Sequence, residues 1–152
     1  MSAATSEIDT LIERVHEHSG VVVLAHTFGR YGENELTLRH WLDLYLKSNS
    51  EFTIFDVKID ELLDFITEQD TVLSRALQKI DGVEVLNPLC LGVENKAAFV
   101  LAEFLNKSKT GGSDCHSPST VGICATKFLM KYILKPSFYL SLDKEKRIPF
   151  SI

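Results

Sequence analysis

No run of apolar residues in this chain approaches the ~20 that cross a membrane, and Met1-Ser2-Ala3-Ala4-Thr5-Ser6-Glu7 lacks the basic and apolar regions of a secretory signal. A cytoplasmic protein without a membrane partner is the expectation. Cysteine is scarce: Cys90, Cys115 and Cys124 are odd in number and show no C-x-x-C spacing, which argues against a disulfide scaffold. They read as reduced thiols, with Cys90 and Cys124 packed as small hydrophobes. Positive charge is also short, 16 Lys and Arg against 21 Asp and Glu for a net charge of −5. A nucleic-acid partner would need a concentrated basic surface, and the only basic cluster, Lys144-Glu145-Lys146-Arg147, is interrupted by acid and reads as a solvated turn. Ser113 lacks a G-x-S-x-G elbow and Gly111-Gly112 is followed by no G-K-[ST], so the nucleophile-elbow and P-loop chemistries fit poorly. There is no internal repeat and no low-complexity linker.

The 152 residues, 45% hydrophobic, suffice for one core, and the chain reads as a single domain over 1–152. Residues 6–18 have helical spacing in Ile8, Leu11, Ile12 and Val15, with Ser6 and Asp9 resembling a capping box and Gly20 suited to a stop. Val21-Val22-Val23-Leu24-Ala25-His26 is an apolar β-branched run of the kind found in parallel sheets covered on both faces. Helical spacing returns in Leu38, Trp41, Leu42 and Tyr45, in Leu62, Leu63 and Ile66, and in Val72, Leu73, Ala76, Leu77 and Ile80. Phe52-Thr53-Ile54-Phe55 reads as a short strand or extended connection. Val83-Glu84-Val85-Leu86-Asn87 reads as a second strand stopped by Pro88, and a helix is expected over 94–105. Further apolar runs, Phe128-Leu129-Met130 and Phe138-Tyr139-Leu140, flank Pro136.

This alternation implies an α/β class with a mainly parallel sheet covered by helices, and ligands of such sheets gather beyond the carboxyl ends of the strands. His26, Asn87, Asp114 and His116 fall at such ends. In an extended segment residues two apart face one side, so Asp114 and His116 would aim at one point while Cys115 turns away. A carboxylate and an imidazole are joint ligands for Zn²⁺, Mn²⁺ or Fe²⁺. An isolated D-x-H is more often a capped turn beside an ordinary histidine. Gly111 and Gly112 add weight to the metal reading, because they permit close backbone approach and unusual dihedrals. Ser117-Pro118 reads as the start of a helix or turn. His26, ending an apolar strand, is the natural third ligand, with a core histidine bonded to backbone as the alternative. Glu84 in an apolar strand needs pairing, hydrogen bonds or a metal. With Asn87 and Arg30 it is read as a neighbour of the site. His16 and His18, two apart on a helix, do not face each other and read as surface residues.

At these residues the chain resembles the carboxyl-terminal half of the polymerase and histidinol phosphatase (PHP) superfamily of metal-dependent phosphoesterases. Gly20 to His26 resembles the family's apolar strand ending in A-H-P, and Val83-Glu84-Val85-Leu86-Asn87 its E-V-x-N strand. Asn95 to Glu103 resembles the helix that follows, and Thr110 to Ser117 with Val121-Gly122 the late G-S-D-A-H-S motif. The resemblance implies a distorted, here partial, (β/α) barrel-like fold and metal-ligand roles for His26, Asp114 and His116. It also implies a hydrolase site that acts on small phosphorylated substrates. Two departures stand out. The family's opening H-x-H and other first-half ligands have no counterpart upstream of residue 20, and Thr27 replaces the proline of A-H-P. Residues 28–80 do not align with the family. Two functions are therefore expected in competition: a metal-binding phosphoesterase-type domain, or a catalytically inactive PHP-derived binding domain. An open sheet edge is compatible with a homo-oligomer in either case.

Overall fold

The computed structural model describes residues 3–29, 38–51, 53, 57–128 and 147–151. Arg30, most of 52–55, the apolar runs beyond Phe128 and the stretch Lys144-Glu145-Lys146 lie outside the described residues.

Helix α1 spans Ala3–Glu17, so Ser6 lies inside it and is not its cap. The helix ends in a Schellman arrangement: Ser19 takes the left-handed conformation (φ 56°), its N–H donates to His16 O, and Gly20 N–H donates to Val15 O. Gly20 is needed for space, because a Cβ there would stand 2.6 Å from Val15 Cγ1. The expected six-residue strand is only two residues long, β1 (Val23–Leu24), and the whole run from Val21 to Leu24 is half-buried. Among the described residues it is an edge strand with one neighbour, and the chain turns sharply at His26, whose O accepts from Gly29 N–H at 2.8 Å. Phe28, just past this turn, enters the core at 1% exposure.

Three helices follow: α2 (Leu38–Ser48), α3 (Ile59–Gln69) and α4 (Thr71–Lys79). Asp70 separates the last two. Its backbone N–H closes α3 on Ile66 O, while its Oδ1 accepts from the Val72 and Leu73 N–H groups at 3.0 Å and opens α4. Strand β2 (Gly82–Leu86) pairs in parallel with β1 and with β3 (Ser108–Gly111), and α5 (Gly92–Phe104) connects β2 to β3. The alternation of β2 divides the sheet's surroundings. Val83 and Val85 are buried with Ala98, Leu101, Ala102 and Leu105 from α5 and its end, whereas Glu84 and Leu86 on the other face are half-buried. Helical cover on both faces was expected; here α5 covers the Val83–Val85 face. A short 3-10 helix (Pro118–Thr120) precedes the antiparallel pair β4 (Cys124–Phe128) and β5 (Arg147–Ser151), which packs beside β3.

The molecule is thus of mixed α/β type with a parallel sheet in the order β1-β2-β3. Among the described residues that sheet is open and three strands wide, so the mixed α/β class with a parallel sheet is seen and the barrel-like part of the expectation is not. The core lies between α2, α3, α4 and α5, with Leu42, Leu62, Ile66, Leu77 and Leu101 fully buried. One ion pair ties α2 to α5. Arg39 Nη1 meets Glu94 Oε1 at 2.6 Å, and the other oxygen of Glu94 accepts from the Leu91 N–H at the start of α5. No described helix is long and apolar enough to cross a membrane.

Candidate functional site

Beyond the carboxyl ends of β1, β2 and β3 three loops meet, bringing His26, Asn87, Asp114 and His116 to the end of the sheet beside Glu84 of β2. Asn87 holds them in place. Its side chain is 1% exposed, its Oδ1 accepts from Leu89 N–H at 2.9 Å, and its Nδ2 donates to Glu84 Oε2 at 3.0 Å and to Asp114 Oδ2 at 3.2 Å. The first bond is the Asx turn that an Asn-Pro step favours. Asn95 on α5 fixes the Asn87 backbone from both sides, accepting from its N–H at 3.0 Å and donating to its carbonyl at 2.9 Å. A neutral amide thus stands between two carboxylates and donates to both, which offsets their mutual repulsion.

Glu84 receives a second donor, the His26 backbone N–H, at 2.8 Å on Oε2. Its presence in an apolar strand is accounted for by these two hydrogen bonds. A Cβ on Gly112 would run into Glu84 Oε1, and one on Gly111 would stand 2.9 Å from Ala125 O. The glycine pair serves close approach, as expected. The unusual dihedral lies two residues on, at Asp114 (φ 45°).

Asp114 is therefore in the left-handed region, outside any strand, and strand alternation is not what brings His116 to it. The loop does so directly: His116 Nε2 is 3.4 Å from Asp114 Oδ1, and His26 Nε2 is 4.0 Å from Asp114 Oδ2. The Asp114 carboxylate is largely shielded, His26 is partly open, and His116 is 76% exposed. His26 is thus no core histidine. Thr27 is buried, with its hydroxyl 3.3 Å from the Glu84 carbonyl and 3.4 Å from that of Leu24. Sequence reasoning noted Thr27 only as a departure from A-H-P and missed its buried hydroxyl and the clamp by Asn95; the Asn-Pro step was the signal available for Asn87.

One carboxylate and two imidazoles suit a borderline divalent ion by donor type. In a tetrahedral zinc shell with bonds of about 2.0–2.2 Å, neighbouring donors stand roughly 3.3–3.6 Å apart. The Asp114–His116 distance falls in that range and the Asp114–His26 distance is slightly wider. The two contacts use different oxygens of Asp114, and among the described residues no three His, Cys, Asp or Glu side chains converge as a metal shell. His16 and His18 stand apart from this region and are exposed, His16 bonded to Asp81 Oδ2 at 2.8 Å and His18 to Arg14 O.

Three thiols surround the region in different states. Cys124 is buried, Cys115 is exposed, and half-buried Cys90 has its thiol pushed up to about 11, by burial first and then by the charges of Glu94, Glu84 and Asp114. Alkylation with iodoacetamide at pH 8 followed by peptide mass spectrometry is expected to label Cys115 and to leave Cys90 largely unmodified. Equal labelling of the two would contradict this burial.

Residues 92–135 match the family model described as PHP-associated. The match overlaps the stretch where the sequence resembles the PHP carboxyl-terminal half, and the Gly111–His116 segment lies within it. Comparison with curated proteins and with solved structures gives no match.

Proposed function

We propose that this protein binds a divalent metal ion, Zn²⁺, Mn²⁺ or Fe²⁺, through Asp114, His116 and His26. The observation that carries this reading is the backbone at two of these residues. Four non-glycine residues among those described have positive φ: Ser19, His26, Asn106 and Asp114. Ser19 and Asn106 end helices, each in a Schellman arrangement, and need no other account. His26 and Asp114 end no helix, and their side chains approach each other across the sheet end. Strain of this kind, of order 1–3 kcal/mol per residue, gathers where a side chain must be aimed.

A metal bound here would supply an activated water and neutralise phosphoryl oxygens. Hydrolysis of small phosphate esters is the catalytic extension of the reading, supported by the PHP-associated match and by the opening of the site beside exposed His116. The protein's own contribution would be to hold Asp114 by Asn87, to fix Glu84 between two N–H donors, and to leave His116 open to substrate. A cytoplasmic setting, where unpaired thiols persist, belongs to the same proposal.

Elemental analysis of protein purified without added metal, repeated on Asp114→Ala and His116→Ala, tests the binding. Near-stoichiometric metal is expected in the parent and at least a tenfold lower content in both variants; equal content in all three would sink the site. Hydrolysis of a generic phosphate ester with added Mn²⁺ or Zn²⁺ tests the extension separately. Metal bound without turnover would favour the inactive binding domain.

A further inference from the structure

Helix α5 is apolar on two opposite sides, and among the described residues only one is covered. Ala98, Leu101, Ala102 and Leu105 are buried on the sheet side. On the opposite side Phe99 is 46%, Val100 42% and Phe104 57% exposed, with Lys96 and Glu103 exposed among them. A helix apolar all round belongs in an interior. We infer that the outer face of α5 is a homodimer interface, in which α5 of one protomer packs antiparallel on α5 of a second copy of this chain.

The choice of a second copy rests on the order of charges along that face. Lys96, Phe99, Val100 and Glu103 follow one another at spacings of three, one and three residues, within a ~100° arc of the helix. A two-fold axis passing between Phe99 and Val100 brings Lys96 of each protomer opposite Glu103 of the other and stacks Phe99 on Val100. The face is thus complementary to itself in charge and in apolar content, as an isologous interface requires. Glu103 already pairs with Lys109, whose ammonium lies 5.0 Å from the Phe99 ring centre, so the acidic side chain stands at the rim of the apolar patch. The alternative of pairing at the sheet edge is poorly served, since the β1 edge offers a strand of only two residues. One helix face is a small interface, below the ~1,200 Å² of standard complexes, so the dimer is weak and concentration-dependent.

Sedimentation velocity of the full chain over a hundredfold range of concentration tests this, with melting curves as a check on folding. The parent is expected to pass from monomer to dimer, and Phe99→Glu to remain monomeric while still melting in one cooperative transition. Lys96→Glu and Glu103→Lys singly are expected to weaken the dimer at least fivefold, and the double variant to restore most of it. A parent that stays monomeric throughout, a dimer indifferent to Phe99→Glu, or a double variant no better than the singles would overturn the inference. If Phe99→Glu fails to fold, the charge exchange alone decides.

Discussion

Asn87→Ala is expected to cost about 3–4 kcal/mol of stability, read as a lowered urea midpoint with an unchanged slope. The buried amide makes three bonds, to Leu89 N–H and to the carboxylates of Glu84 and Asp114, and hydrogen bonds to charged groups contribute about 1.5–3 kcal/mol each. Removing it leaves two carboxylates facing each other without the donor between them. Asn87→Asp should be worse than alanine at neutral pH. The new carboxylate, set between two others, would have its folded pKa raised, so the loss is full above that value and fades as pH falls toward the unfolded carboxylate range. A neutral effect of Asn87→Ala would mean that Asn87 does not hold the site.

Glu94→Ala is expected to cost about 3 kcal/mol, roughly 6–12 °C in melting temperature for a domain of this size. Glu94 is 3% exposed and forms both the ion pair with Arg39 and the N-terminal bond of α5. Removing one partner of a buried pair typically costs 3–5 kcal/mol, and the low end applies because Arg39 keeps Asp43 at 2.9 Å. Glu94→Gln retains an acceptor for the Leu91 N–H and should fall between the parent and alanine. Thermal melts of the three proteins separate the charge from the cap.

The helices α1 to α5 were legible because their apolar periodicity is strong, and β2 because its apolar run is bounded by Gly82 and Pro88. The length of β1 was not, since an apolar β-branched run says nothing of how many neighbours it will have; as an edge strand it pairs over two residues and then turns at His26. The turn between α3 and α4 hinged on Asp70, a polar residue with no periodic signature. At the site, the residue types and the glycine pair pointed to Asp114 and His116. The left-handed backbone at Asp114 and His26, and the double donation from Asn87, depend on tertiary placement that spacing cannot express. The partial-barrel expectation came from resemblance, and the described strands form an open sheet.

The most direct test of the metal centre is an NMR titration of the histidine ring nitrogens with Zn²⁺. The chain has five histidines, of which His16, His18 and His40 lie outside the site. Joint shifts of the His26 and His116 ring signals at one equivalent, with the other three unmoved and the response abolished by Asp114→Ala, are the predicted result. Shifts confined to His16 and His18, or a response that survives Asp114→Ala, would contradict it.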